Sequence, residues 1–356
     1  MASLPPDLVH EILSLLPVKA LLKFKLVCKE WYNLIQSPGF IEYHYNRSLE
    51  MNNNVSLVTI QDSTLYHIHD LNSFTHFTKI ELPCQFNYQV RGSCKGLLCL
   101  RSKQGLFLCN PATRVLKPVE VPKGINFDCS STSLIGFGFD HISDDFKILM
   151  VLMHYQTWVY SLKSDSWRRI GSTPCGLFIS DRHGGAVFNN NKLHWLCPNK
   201  QRIVCFDLHD EEFGEVPIMS YSQHLDIEWM HLVDFDGCLC LSFSTISRPI
   251  DWYAETHVWI MKEYNVKESW IQLFHLRDTE LYPLTYNKYQ NQIIFRESYE
   301  RSICQYNLKG DNDIHYVDGF FPGNYITGKT ITSCIDGLTP FLCGGKTQTA
   351  IINDKA

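Results

Sequence analysis

The sequence predicts an α+β multidomain chain, with a short three-helix unit at the N-terminus followed by an all-β propeller. Three observations carry this prediction. Residues 1–45 hold three short amphipathic segments punctuated by proline. From Val55 onward the pattern changes to short apolar strands divided by polar turns. Within that region a strand–turn–strand unit recurs with a period in the forties, the signature of propeller blades.

The first segment runs from Pro5 to Leu16. Pro5 and Pro6 suit a helix start, Asp7 complements the positive end of the helix dipole, and Pro17 stops the helix. Leu8, Ile12, Leu15 and Leu16 make one apolar stripe, and Val9, Leu13 and Leu16 make a second. Two stripes on one short helix mean burial on more than one side. Val18–Phe24 reads as a second helix and Lys29–Ile35 as a third, ended by Ser37-Pro38-Gly39. Three helices of this length bury too little surface to fold alone. They either cap the downstream domain or form an interface with another protein. The expected domains are 1–45 for the helical unit, 46–54 for a linker, 55–345 for the propeller and 346–356 for a flexible tail.

In the β region each unit has an alternating strand, a small polar residue and then a further strand, often ending near proline. Asp70, Asn110, Ser161, Asp207, Asn265 and Asn307 anchor six units, spaced by about 40 to 58 residues. Six blades are counted; seven or eight also fit, because the ends blur. The apolar runs Gly96–Leu100, Lys192–Leu196 and Gly237–Leu241 read as inner strands. A strand near Ile331–Leu338 is expected to pair with the first strands and close the ring. The widest spacing contains Thr245–Glu255, read as a long loop carrying Ile250, Trp252 and Tyr253. Aromatic residues in such a loop are candidates for binding a partner.

Composition narrows the function classes. The net charge of −5 argues against broad nucleic-acid binding, though it would suit a basic protein partner. No stretch approaches the apolar length of a membrane span, and no signal peptide is read. The 14 cysteines are then free thiols in the cytosol or nucleus. Gly136-Phe137-Gly138 lacks the third glycine of a dinucleotide fingerprint. There is no nucleophile elbow and no Walker-type loop. Cys94/Cys99 and Cys238/Cys240 lack zinc-site spacing, so neither a cofactor nor a metal is expected and a RING domain is absent. Asp7 and Glu11 read as a solvated helix face. His67 and His69 share one strand face and read as surface or core residues rather than ligands.

The ordered string from Leu4 to Ile35 closely resembles the F-box of plant F-box proteins: Leu-Pro-x-Asp-Leu-x-x-Glu-Ile-Leu-x-x-Leu-Pro-Val-Lys-x-Leu-Leu-x-Phe-Lys-x-Val-Cys-Lys-x-Trp-x-x-Leu-Ile. Downstream, Gly92–Leu100, Asn110-Pro111-Ala112-Thr113, Gly136–Asp140 with Asp144–Ile148, Val258–Met261 and Glu268-Ser269-Trp270 resemble the F-box-associated, kelch-like domain of the same family. The S-locus-like branch is one place such a chain could sit. The resemblance implies a non-catalytic receptor that binds a Skp-type adaptor and, through it, cullin and RING subunits, and brings a protein substrate to be ubiquitinated. It implies an adaptor contact opened by Leu4 and Pro5, faced by Leu8, Ile12 and Leu16, filled by Leu21, Leu22 and Val27, and closed by Trp31, Leu34 and Ile35. The substrate contact falls to the propeller, with Ile250, Trp252 and Tyr253 as candidates. Two other classes stay open: an adaptor-bound scaffold without substrate turnover, and a propeller enzyme with a channel-bound metal.

Overall fold

The computed structural model describes residues 4–51, 54–61, 63–71, 74, 76–83, 87–122, 125, 132–152, 156–172, 185–197, 202–220, 227–247, 253–277, 280–287, 291–297, 302–308, 314–317, 331–340 and 350–351. Four helices come first: α1 (Pro6–Ser14), α2 (Val18–Phe24), α3 (Lys29–Gln36) and α4 (Pro38–Met51). The expected three become four, and α4 takes up most of the expected linker. Pro38 reads as a stop, but it sits in the first turn of the next helix, where a missing N–H costs nothing. Ser37 separates the two helices, its Oγ accepting from the Phe40 N–H.

Among the described residues twenty-five strands follow, in six sheets. Blade one combines β1 (Val55–Gln61), β2 (Thr64–Ile68) and β3 (Phe77–Glu81) with β24 (Ile331–Ile335). Blade two holds β4 (Gln89–Cys94), β5 (Leu97–Ser102), β6 (Gly105–Asn110) and β7 (Val115–Val119), with β25 (Ala350–Ile351) added outside. Blade three holds β8 (Thr132–Asp140), β9 (Asp145–Leu152), β10 (Gln156–Ser161) and β11 (Ser166–Ser172). Blade four holds β12 (Val187–Asn189), β13 (Lys192–Cys197), β14 (Arg202–Asp207) and β15 (Phe213–Val216). Blade five holds β16 (Ile227–Phe235), β17 (Cys238–Ser247), β18 (Tyr253–Met261) and β19 (Trp270–Arg277). Blade six holds β20 (Leu281–Asn287), β21 (Gln292–Glu297), β22 (Ile303–Asn307) and β23 (Ile314–Tyr316).

The anchors of the sequence repeat now have a meaning. Asn110, Ser161, Asp207 and Asn307 end the third strand of their blades, and Asp70 and Asn265 follow theirs closely. The apolar runs read as inner strands are second strands instead: β5, β13 and β17. They are apolar throughout because neighbouring blades cover both of their faces. β4, β8, β12, β16, β20 and β24 take the inner position and touch one another around the axis. The expected tail is likewise not free throughout, since Ala350 and Ile351 pair with Leu116 and Val115.

Apolar packing is distributed over the seams between blades. Six buried clusters among the described residues each draw on two adjacent blades. Val58 and Leu65 meet Leu98 and Leu100; Leu97 and Leu108 meet Phe137 and Ile148; Leu149 meets Leu193 and Phe206. The remaining three seams close the circuit, the last joining Ile294 and Ile303 to Leu57 and Ile68. Gly138 belongs to this packing and not to a phosphate loop: a Cβ there would stand 2.3 Å from the Phe188 ring. Polar ties reinforce the seams. Lys147 Nζ donates to Asp140 Oδ2 at 2.9 Å and, across the seam, to Glu211 Oε1 at 3.2 Å; Lys117 Nζ donates to Asp165 at 2.8 Å.

The ring closes where β24 pairs antiparallel with β1, Leu57 opposite Ser333. Just past β24, Asp336 clasps the first blade. Its Oδ1 lies 2.8 Å from His67 Nε2 and accepts from Ser56 Oγ at 2.7 Å, while Oδ2 lies 3.5 Å from His69 Nδ1. Burial works to raise the Asp336 carboxyl, but His67, His69 and Ser56 outweigh it and hold it below the usual carboxylate range. A carboxyl depressed in this way stabilises the fold above its ordinary pKa near 3.9 and loses that contribution as the pH falls below it. Asp336→Asn is expected to cost about 3 kcal/mol at neutral pH, since it leaves buried partners uncompensated. Its deficit should shrink as the pH drops below about 4, where the wild-type contribution is itself lost. Urea unfolding of both chains across that range measures this.

Candidate functional site

The helical unit has two unlike apolar faces. Leu13, Val18, Leu21, Ile35 and Phe40 form its buried centre, joined by Leu338 from beyond β24. Ala112, in the turn after β6, packs against the same cluster. That turn is held by Asn110, whose Oδ1 accepts from the Thr113 N–H and whose Nδ2 donates to the carbonyls of Gly337 and Thr339, each at 3.0 Å. The helices are thus seated on the propeller by residues from both its early and its late sequence. His44 on α4 reaches back to the Leu16 carbonyl at 2.9 Å. Glu11 is paired, not merely solvated: it accepts from Tyr43 at 2.9 Å and from Arg47 at 2.5 Å.

The opposite face is left open. Leu4, Pro5, Leu8, Ile12 and Leu15 are exposed, with Leu8 at 51%. In the turn between α2 and α3, Leu26 is 87% exposed and Val27 is exposed beside it; Tyr32 on α3 is exposed as well. The residues expected at an adaptor contact therefore fall into three groups. Leu4, Pro5, Leu8, Ile12 and Val27 lie outside. Leu16, Leu22, Trp31 and Leu34 are half-buried, Trp31 meeting Phe24 edge to face at 5.5 Å. Leu21 and Ile35 are fully buried and serve the unit's own core. Leu15 and Leu26 are exposed members of the face that motif reading passes over. The signal for Leu15 was its place in the first stripe; Leu26 lies in a turn, outside any helical period.

The propeller axis carries a cavity of about 670 Å³, lined by inner strands. Tyr45, Leu49 and Glu50 of α4 stand at its wall. Its lining mixes charges: Asp234, Asp236 and Glu50 with Arg91 and Lys95. Asp234 accepts from Asn189 Nδ2 at 2.6 Å and from the Gly237 N–H at 3.2 Å, and burial pushes its carboxyl up to about 6. Lys95 Nζ sits 3.7 Å from the centre of the Phe139 ring.

The described residues of the expected loop Thr245–Glu255 are paired strand. β17 and β18 stay in register as far as Ser247 opposite Tyr253. The wide repeat spacing thus reflects longer strands, which polar residues such as Ser242, Ser244 and Thr256 disguise in the sequence. Tyr253 opens β18, while Ile250 and Trp252 lie outside the described residues. The chain's meander fixes which end of the blade this is. The turn after β6 meets the helices, so the turn between β5 and β6, and its equivalent between β17 and β18, point to the opposite rim.

Among the described residues no helix is long and apolar enough to cross a membrane. Comparison with known proteins places the two parts separately. A family model of the F-box domain matches residues 1–43, and one of the F-box associated beta propeller domain matches residues 46–335. F-box protein CPR1 of Arabidopsis thaliana is 32% identical over 337 residues, covering 83% of this chain and 79% of its own length. F-box/kelch-repeat protein At3g23880 of the same plant is 28% identical, covering 77% and 79%. With four N-terminal helices and a six-bladed ring behind them, the chain belongs to the plant F-box family whose members join an F-box to an F-box associated β-propeller.

Proposed function

We propose that this chain is the substrate-recognition subunit of a Skp–cullin–F-box ubiquitin ligase, and that it recruits a protein target without catalysis of its own. F-box proteins in general are the substrate adaptors of such ligases. The observation that carries the reading is the open apolar face of Leu4, Leu8, Ile12, Leu15, Leu26 and Val27 on a unit whose core is already complete. Monomeric surfaces seldom leave this much aliphatic side chain in water without a partner. A Skp-type adaptor covers the face and links the chain to cullin and RING subunits. The propeller holds the target, whose lysines then meet a ubiquitin-charged enzyme on the same scaffold. The mechanism is raised effective concentration.

The target falls to the rim away from the helices and to the channel mouth there, with Ile250, Trp252 and Tyr253 kept as candidate contacts. A target bound at that rim leaves the adaptor face free. The net charge of −5 suits a basic partner. We place the chain in the cytosol or nucleus, where ubiquitin ligases work. Ten cysteines among the described residues are free thiols, as a reducing compartment allows.

The test is co-expression of the full chain with a Skp-type adaptor, followed by size-exclusion chromatography. A one-to-one complex is expected. The double variant Leu8→Glu, Ile12→Glu should lose it while the propeller keeps its unfolding midpoint, since both side chains are exposed. A complex undiminished in that variant overturns the assigned face. Leu21→Ala should behave differently, costing about 2–5 kcal/mol of helical-unit stability because it opens a cavity in the core. Hydrogen exchange over α1–α4 reads that loss.

A further inference from the structure

The flank of blade five carries a side-chain cluster that neither the helical face nor the channel uses. The ladder β17–β18–β19 aligns two adjacent rows on one side of the sheet. Phe243, His257 and His275 are direct cross-strand partners in one row; Thr245, Glu255 and Arg277 are partners in the next. Residues two apart on a strand share a face, so Glu255 and His257 point the same way, and His275 stands directly opposite His257. The rings form a column. Phe243 and His257 stack at 4.9 Å and 18°, and His257 and His275 at 4.5 Å and 8°. With the planes parallel the two in-plane lone pairs do not meet, so binding one ion turns a ring, and the exposed His275 is the one with room to turn.

Three ligand-type atoms converge beside the column. Glu255 Oε2 lies 3.2 Å from His275 Nε2 and 3.9 Å from His257 Nε2. Thr245 Oγ1 lies 3.2 Å from His257 Nε2. Ligand atoms of a tetrahedral zinc, each about 2.0–2.1 Å from the ion, stand about 3.3 Å apart; Glu255 Oε2 and His275 Nε2 already stand at that spacing, and side-chain rotation has to bring in the rest. Its outer partners are also in place. Arg277 Nε is 3.9 Å from Glu255 Oε1, the oxygen turned away from the histidines. The Gln272 amide is 3.4 Å from His257 Nδ1. With that amide turned over, its oxygen accepts from Nδ1–H and leaves the Nε2 lone pair facing the cluster. His275 is exposed, which provides an entry path.

We propose that Glu255, His257 and His275 form a divalent-cation site of the zinc class, with the Thr245 hydroxyl or a water in the fourth position. Two imidazoles and one carboxylate select zinc over magnesium or calcium, which take oxygen ligands. The other histidine–carboxylate group among the described residues, His67, His69 and Asp336, is a different case. Its acceptor Asp336 Oδ1 already takes a bond from Ser56 and faces His67 at 2.8 Å, closer than two ligands of one zinc would sit. The proposed site stands on the two long strands whose ladder ends at Ser247 and Tyr253, toward the rim away from the helices. A cation there cross-links β18 to β19 and stiffens that rim. The inference does not depend on adaptor binding.

Equilibrium dialysis of the full chain against Zn²⁺ at neutral pH tests it. One equivalent is expected to bind, and His275→Gln should weaken binding by at least about tenfold. His69→Gln should leave it unchanged. No binding by the intact chain, equal affinity in His275→Gln, or a loss confined to His69→Gln would each overturn the site. A second measurement needs no variant: Zn²⁺ should shield His257 and His275 from diethyl pyrocarbonate while His76, which is largely exposed, stays reactive. Equal modification with and without Zn²⁺ overturns the proposal as well.

Discussion

Ring closure is the constraint on which the rest of this structure depends. A propeller has no single core; its apolar surface is shared between neighbours, and each blade is stable because the next one covers it. A ring of this kind is sound only if the last seam is as good as the others. Here the final strand is borrowed: β24 comes from the far end of the chain to become the innermost strand of the first blade. The hydrogen bonds of the β1–β24 ladder and the Asp336 clasp hold together parts of the sequence about 270 residues apart. Closing so long a loop carries an entropic cost that grows slowly with length, and a buried, fully bonded carboxylate is a strong local offset.

Much of this architecture could be read from the sequence, and the parts that could not fail for definite physical reasons. Turn residues at the ends of third strands recur because every blade must reverse direction there, so the repeat and the blade number were visible. The strand positions were harder. A second strand is covered by neighbouring blades on both faces, whereas an inner strand has one edge on a wet channel; continuous apolarity therefore marked the wrong strand as innermost. Pro38 misled because proline both ends one helix and begins the next. The separation of outward from inward leucines was half legible. The two stripes of α1 are visible in the sequence, and they divide into exposed Leu8 and Ile12 and buried Leu13. Leu21 and Ile35 fit the same motif as their exposed neighbours, and only the packed structure assigns them to the core. The convergence of His67, His69 and Asp336, or of Glu255 with two histidines on different strands, depends on register and has no local signal at all.

The helical unit illustrates a balance between folding and recognition. Its inner face is complete enough to hold four helices together, and its outer face is as aliphatic as the inner one. An outer row of leucines adds nothing to the stability of the isolated chain. It represents interaction energy held in reserve for an interface. The propeller meanwhile places charged residues in its channel and at its seams, a chemistry opposite to that of the aliphatic outer face of the helices.

Leu338 is the last apolar residue to enter the helical core, yet it is among the last described residues to leave the ribosome. All six blades lie between the helices and Leu338 along the chain. A chain cut short before Leu338 thus lacks a finished seat for its helical unit. The seat of the helices is therefore complete only when the closing strand is in place.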